Sequence, residues 1–163
     1  MKWFVNPHTL EELKKQYKRL AMQHHPDLGG NENDMKEINA EYNTLFELLK
    51  NVHQNAEGKT YSKREESTES PEEFREIIER LIKLDGINIE ICGSWLWITG
   101  NTLPHKEILK KMQFRWSKSK CAWYFHREGY RKYNSKSYTL DEIRDFYGSE
   151  TVKSKKSIQL TVV

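Results

Sequence analysis

The chain has few of the features that mark secreted or membrane proteins. It contains two cysteines in 163 residues, Cys92 and Cys121, which is too few for a disulfide framework and fits a reducing compartment. No apolar run is long enough to span a membrane, and the first residues lack the pattern of a signal peptide. We therefore expect a cytoplasmic protein.

Motifs for catalysis and for cofactor binding are also missing. There is no phosphate-binding glycine loop and no nucleophile elbow. With no CxxC pair, and with His105 and His126 scattered, a zinc site is not expected. The sequence therefore predicts neither an enzyme nor a protein that carries a cofactor or a metal.

What is present begins with two helical patterns separated by a short polar stretch. Apolar residues at spacings of three and four predict an amphipathic helix from about residue 9 to 24, with lysines on its outer faces. Thr9 and Glu12 fit a capping box at its start. A second pattern runs from Asn33 to about Lys50. Two helices joined by a tight polar loop predict an antiparallel hairpin.

The loop of this hairpin contains the tripeptide His25-Pro26-Asp27. With the preceding run EELKKQYKRLAMQH and the later run MKEINAEY, it closely resembles helix II, the loop and the start of helix III of a J-domain. The resemblance covers only the first part of the chain. It implies stimulation of ATP hydrolysis by a DnaK-type chaperone of the heat shock protein 70 family. The residues it implicates in chaperone binding are Lys14, Tyr17, Lys18, Arg19, His25, Pro26 and Asp27.

The chain departs from fuller members of this family in three places. Leu28 stands where many members have a basic residue, the connection to the second helix is compressed to Gly29-Gly30-Asn31, and no short fourth helix is evident after Lys50. The glycine-phenylalanine-rich linker and the cysteine-rich repeats of larger cochaperones are absent. The resemblance is therefore closer to the shortened J-domains of bacteriophage and mobile-element proteins than to the domain of a full cochaperone.

Each of these residues also has a simpler interpretation. Proline and aspartate both favour turns, so the tripeptide alone would predict only a turn. The lysines of the first helix are equally typical of a solvated face, and Tyr17 lies on the apolar stripe, where a core residue is expected. The matching helices on both sides of the tripeptide favour the J-domain interpretation.

A second folding unit is predicted to begin at Ser70. Ser70, Pro71 and the two glutamates that follow are typical of a helix N-terminus, and Asp85-Gly86 of its end. Beyond Gly86 the hydrophobic period changes from helical to alternating. This pattern predicts a hairpin over residues 87–99, a helix over 105–112, a hairpin over 114–125 and a helix over 139–147.

Together these patterns predict an α+β protein. We expect an N-terminal antiparallel helical hairpin, the J-domain, over residues 1–56, then a flexible linker over 57–70. A small α+β domain with two β-hairpins and flanking helices follows over 71–150, and a basic tail over 151–163. The linker is predicted from its polar composition. A hydrophobic share of 36% is thin for one large core and favours two small ones.

Positive charge is concentrated in the second half. Residues 1–57 carry 7 basic and 9 acidic side chains, residues 58–85 carry 6 and 8, and residues 86–163 carry 14 and 7. In the last segment cations alternate with aromatic rings, the combination that binds single-stranded nucleic acid through phosphates and base stacking. The candidate nucleic-acid-binding residues are Lys106, Lys110, Lys111, Arg115, Lys118, Lys120, Arg127, Arg131 and Lys132.

The aromatic residues of this half have a structural explanation as well. A small unit with few aliphatic residues must bury its large rings, and the obvious candidates are Trp95, Trp97, Trp116 and Trp123. A basic surface serves an acidic protein client equally well. The pattern GNT at residues 100–102, with the triplet FRW and the pair WY of the second hairpin, also resembles a small hairpin-helix-hairpin module of bacterial and phage DNA-metabolism proteins. This resemblance assigns no ligand.

Two functions follow from the sequence. In the first, residues 1–56 bind a DnaK-type chaperone and residues 71–150 recruit an unidentified client protein or nucleoprotein complex. In the second, the protein is a nucleic-acid-binding accessory of phage or mobile-element DNA metabolism, with single-stranded DNA or RNA as its partner and the hairpin as a docking element. Stimulation of a chaperone ATPase distinguishes the first, and salt-sensitive nucleic-acid binding the second.

Overall fold

The computed structural model describes residues 1–54, 57, 59–62, 69–127, 137–148 and 152–153. Five helices and seven strands alternate irregularly along these residues, which confirms the α+β class. None of the described helices has the length and apolar character needed to cross a membrane. In chain order the elements are α1 (Leu10–His24), α2 (Glu32–Leu49), β1 (Val52–Gln54), β2 (Thr60–Ser62), α3 (Pro71–Leu81), β3 (Ile87–Cys92), β4 (Trp95–Gly100), α4 (Lys106–Lys111), β5 (Arg115–Ser117), β6 (Ala122–Phe125), α5 (Leu140–Tyr147) and β7 (Val152–Lys153).

The helices of the N-terminal hairpin begin at capping side chains. The Oγ1 atom of Thr9 accepts a hydrogen bond from the backbone N–H of Glu12 at 3.3 Å, and Asn31 Oδ1 accepts one from the N–H of Asn33 at 2.8 Å. The Glu12 carboxylate accepts from the N–H of His8 at 2.8 Å. The glutamate therefore reaches one residue beyond the position that a capping box requires.

The second half of the structure, a name used here for the described residues from Glu69 to Lys153, is built on one antiparallel sheet. Its strand order is β5-β6-β4-β3-β7. It contains the two hairpins expected from the sequence, joined by pairing of β4 with β6, where Trp97 lies opposite Tyr124. At the other edge β7, within the predicted tail, pairs with β3. Alternation predicts strands but not their partners, so the joining of the hairpins was not predictable from the pattern.

A further short hairpin pairs β1 with β2 and falls partly in the predicted linker. His53 lies opposite Tyr61, and the two rings are 5.7 Å apart. All three side chains of β2 are exposed, so no apolar alternation marked this strand in the sequence. Residues 58 and 63–68 of the predicted linker, and 151 and 154–163 of the predicted tail, lie outside the described residues.

The buried apolar side chains of the two halves form one continuous cluster. It includes Leu13 of α1, Tyr42 of α2, Phe74 of α3 and Ile89 of β3. This differs from the two separate cores expected from composition, because α1 packs against α3 and β3 as well as against α2. A smaller cluster, on the opposite face of the sheet, consists of Cys92, Trp97, Ala122 and Leu140.

Candidate functional site

The tripeptide lies in a 3-10 turn, Pro26–Leu28, directly after α1. The Nδ1 atom of His25 accepts a hydrogen bond from the backbone N–H of Asp27 at 3.2 Å, and the His25 carbonyl accepts from Gly30 N–H at 2.9 Å. The imidazole therefore holds the turn from within. The side chains of Pro26 and Asp27 are exposed on its outer side.

The compressed connection from this turn to α2 depends on glycine. Gly29 has a φ of 86°, in the left-handed region that side chains disfavour. At Gly30 an added Cβ would lie 2.1 Å from the carbonyl carbon of His24, which no side chain tolerates. The two glycines allow the chain to reverse within a few residues and so keep the tripeptide at the tip.

Both charged or titratable members of the tripeptide face the second half of the chain. His25 is 4% exposed, and its Nε2 atom lies 3.4 Å from Oε1 of Glu79 on α3. The carboxylate of Asp27 lies 3.2 Å from Nζ of Lys83, just beyond α3, with both side chains about half exposed. The tip of the hairpin is therefore bordered by α3.

Two lysines of α1 are buried against the second half. Lys18 is fully buried, and its Nζ donates to the carbonyl oxygen of Ile89 at 3.0 Å. Lys14 donates to the Glu69 carboxylate at 2.5 Å and lies 5.0 Å from the ring centre of Phe74. The two lysines lie on the outer side of α1, away from α2, as periodicity predicts. The alternative interpretation as a solvated face is wrong for them, because the second half covers that side.

The remaining cations of α1 are also partly enclosed. The Nζ atom of Lys15 donates to the carbonyl oxygens of Tyr147 at 3.0 Å and Gly148 at 2.9 Å. These carbonyls end α5, where the helix dipole favours a cation. Arg19 is half-buried. The three lysines of α1 are thus each bonded to an atom of the second half.

Tyr17 has the packing of a core residue. It is 3% exposed, and its ring centre lies 4.4 Å from that of Tyr42 and 6.1 Å from that of Phe74. Its hydroxyl donates to Asn39 Oδ1 at 2.9 Å. Burial raises the pKa of this hydroxyl well above its ordinary value, because the phenolate would lose its hydration. Tyr17 joins the two helices of the hairpin to α3.

Most of the cations considered for nucleic-acid binding lie on α4, on β5 and in the turn after β5. Lys110 is 3.4 Å from the Glu107 carboxylate, and both side chains remain at least half exposed. The α4–β5 surface is the name used below for these exposed cations, which are Lys106, Lys110, Lys111, Arg115 and Lys118.

The other candidate cations are not part of this surface. Nζ of Lys120 lies 5.9 Å from the ring centre of Trp97, and Arg127 forms an ion pair with Glu73 of α3 at 2.9 Å. Both therefore contact residues of the fold. Arg131 and Lys132 lie outside the described residues.

The tryptophans divide between core and surface. Trp97 and Trp123 are 5% and 6% exposed, whereas Trp116 is 45% exposed. Trp116 lies on β5, an edge strand of the sheet, next to Arg115, with its ring centre 5.7 Å from that of Trp123. Trp97 and Trp123 are therefore core residues, whereas the ring of Trp116 lies at the surface.

Sequence reasoning did not find the residues of the second half that contact α1 and the tripeptide. The principal ones are Glu69, Phe74, Glu79, Lys83 and Ile89. Only one signal pointed toward them: residues 58–85 carry 8 acidic side chains, which complement a basic helix. A carbonyl acceptor such as that of Ile89 has no sequence signature at all, because every residue carries one.

Comparison with known proteins bears on the first part of the chain. The family model described as DnaJ domain matches residues 5–57. Searches of curated proteins and of solved structures found no match. The matched residues include α1, the tripeptide turn, α2 and β1, the part for which the sequence resemblance was stated. Residues 5–57 thus match a DnaJ domain, a module that in general implies a chaperone of the heat shock protein 70 family as its partner.

Proposed function

We propose that this protein is a cytoplasmic cochaperone that binds a DnaK-type chaperone and stimulates its ATPase. In this proposal the small α+β domain predicted over residues 71–150 recruits the client protein or nucleoprotein complex. The observation that carries the proposal is the exposed Pro26-Asp27 edge, held in a fixed turn by His25 at the tip of a DnaJ domain.

The hairpin acts by binding and performs no bond chemistry of its own. An exposed carboxylate on a rigid turn accepts charge-assisted hydrogen bonds from a cationic partner with little loss of side-chain freedom. To accelerate hydrolysis, the hairpin must bind the hydrolysing state of the chaperone more tightly than its resting ATP state. Asp27 is the residue whose carboxylate makes that differential contact.

Single-turnover ATP hydrolysis by a bacterial DnaK-type chaperone tests this function. The wild-type chain should accelerate hydrolysis, and Asp27→Asn should lose about tenfold or more, because a hydrogen bond to a charged group contributes about 1.5–3 kcal/mol. His25→Gln should also lose stimulation, since a flexible amide replaces the rigid imidazole whose Nδ1 accepts from Asp27 N–H within the turn.

Asp145→Asn is the matched control for this experiment. It makes the same chemical change at an exposed position of α5, far in sequence from the DnaJ domain, and should stimulate like wild type. The proposal fails if the wild-type chain gives no stimulation at any concentration, or if Asp27→Asn and wild type stimulate equally.

The exposure of Trp116 favours a second function, the binding of single-stranded DNA or RNA by the α4–β5 surface. A half-exposed ring beside Arg115 offers a base a stacking partner next to a cation for its phosphate. Apart from Glu107, the described residues of α4 and β5 carry no acidic side chain. This leaves a local excess of positive charge.

An electrophoretic shift of labelled single-stranded DNA and RNA across a salt series tests this second function. Trp116→Ala should weaken binding about fivefold or more, because stacking contributes about 1–3 kcal/mol per base. Lys118→Gln should reduce the salt slope by about one. Phe146→Ala, which removes another ring that is 44% exposed, is the control. Absence of binding by the full chain at low salt would reject the idea.

A further inference from the structure

The face of the DnaJ domain that would contact the chaperone is occupied by the same chain. We propose that α3 with the flanking Glu69 and Lys83, Ile89 of β3 and the end of α5 form an internal cover that competes with the chaperone for α1 and the tripeptide. The chaperone docks only when this cover is displaced. This inference rests on the proposed function, and it says that the cover regulates the access of the chaperone to the DnaJ domain.

The cover provides hydrogen-bond acceptors for the lysine ammonium groups of α1, as an external partner would. Lys14 is bonded to the Glu69 carboxylate at 2.5 Å, and the side chains of this pair are only 11% and 16% exposed. Lys18, with no exposed surface, donates to the Ile89 carbonyl. Neither lysine can bind a carboxylate of another protein while these contacts persist.

The tripeptide is engaged on the same side. Glu79 lies 3.4 Å from the imidazole of His25, and Lys83 lies 3.2 Å from the carboxylate of Asp27. Glu79 and Lys83 are four residues apart in sequence and present a carboxylate and an ammonium group to the imidazole and the carboxylate of the tip. This charge complementarity makes α3 a stand-in for a docking surface.

One apolar side chain anchors the cover. Phe74 of α3 is 3% exposed and packs against Tyr17 of α1 and Tyr42 of α2, with ring centres 6.1 and 6.2 Å away. Its burial therefore depends on the DnaJ domain and not only on its own half. Displacing the cover must expose this ring.

Other features make displacement feasible. A cavity of about 670 Å³ adjoins the contact and is lined by Lys14, Phe74, Trp95 and other residues of both halves, so the cover is not packed throughout. The Asp27–Lys83 pair is half exposed, and ion pairs in water contribute little to stability. A chaperone with moderate affinity can therefore compete with the contacts of the cover.

Charge reversal within the cover tests the proposal without changing the DnaJ domain. Glu69→Lys with Glu79→Lys places cations against Lys14 and His25 and should open the cover. The concentration of the full-length protein needed for half-maximal ATPase stimulation should then fall about tenfold, because apparent affinity scales with the fraction of competent molecules. Adding Asp27→Asn should abolish the gain.

The matched control is Glu107→Lys with Asp141→Lys, which changes net charge equally at exposed positions outside the cover, on α4 and in the first turn of α5, and should stimulate like wild type. If the opened variant, the control and wild type stimulate equally, the cover does not compete and the proposed function stands. If neither wild type nor the opened variant stimulates, the proposed function itself fails, and the inference with it.

Zero-length carbodiimide cross-linking of the wild-type chain is a second test that needs no variant to fold. In the free protein it should join Lys14 to Glu69 and Lys83 to Asp27, which mass spectrometry identifies as linked peptides. Saturating DnaK-type chaperone with ATP should reduce both links severalfold. Links that keep their yield under saturation, or that never form in the free protein, would overturn the internal cover.

Discussion

The two basic regions of this chain, on α1 and on the α4–β5 surface, look alike in sequence and differ in structure. Lys14 and Lys18 are buried against carboxylate and carbonyl oxygens of the second half, whereas Lys106 and Lys118 are exposed. The difference shows that a run of lysines predicts hydrogen-bond acceptors near the ammonium groups. It does not predict that the side chains are exposed to solvent. Which acceptors satisfy them depends on the rest of the fold.

The largest expected effect concerns the ring that anchors α1 to the second half. Phe74→Ala should lower the free energy of unfolding by about 3–4 kcal/mol, because it removes a buried ring and leaves a cavity. Urea denaturation measures the loss. Phe146→Ala, at a ring 44% exposed, should cost under about 1 kcal/mol. Similar losses for both variants would mean that the contact between the halves adds nothing to stability.

The next effect compares one lysine from each basic region. Lys18→Ala should destabilise the fold by about 2 kcal/mol, since the Ile89 carbonyl loses a donor and the buried stem leaves a void. Lys118→Ala should stay within about 0.5 kcal/mol of wild type. Lys18→Met keeps the apolar stem and should recover part of the loss. Thermal and urea unfolding measure the stability of the three variants. Equal unfolding free energies for Lys18→Ala and Lys118→Ala would contradict the difference between the two basic regions.

The smallest effect is a dependence on alkaline pH. Because burial raises the pKa of Tyr17 above its ordinary value of 10.0, the unfolded chain releases this proton first as pH rises. The contribution of Tyr17 is complete below that ordinary value, and it diminishes as pH rises toward the folded-state pKa. Tyr17→Phe should therefore lose less stability than wild type between about pH 9 and 11.

Tyr61→Phe is the control for this pH series. Tyr61 is 46% exposed, so this variant makes the same chemical change without removing a buried hydroxyl. Tyr42, whose pKa burial also raises, should preserve part of the slope in Tyr17→Phe. Urea unfolding at each pH provides the measurement, and identical slopes for Tyr17→Phe and wild type would contradict the burial argument.

Local structure was largely predictable from the sequence because its determinants are local. The caps Thr9, Asn31, Ser70 and Thr139 stand where the helices begin, and period changes mark the strands of both hairpins. The tripeptide turn followed from proline chemistry. The DnaJ domain was recognisable for the same reason, since its motif is contiguous.

Long-range relations were not predictable. The pairing of β4 with β6 and the short hairpin of β1 with β2 depend on partners that alternation does not encode. The burial of Lys18 depends on a backbone carbonyl 71 residues away. Periodicity placed this lysine on the outer side of its helix correctly, but the sheet covers that side. The candidate site was therefore found by motif, and its enclosure only by structure.

Because Lys15 donates to carbonyl oxygens at the end of α5, the contacts of the DnaJ domain form at different times during synthesis. The donor and the Tyr147 carbonyl are separated by 132 residues, so the ribosome completes α1 long before the last part of the cover exists. At about 5–20 residues per second, the residues between 57 and 148 take roughly 5–20 s to emerge. Under the proposed cover, the tripeptide of a nascent chain stays exposed until Glu79 and Lys83 emerge, and Lys15 lacks its acceptors on α5 until the end of that interval.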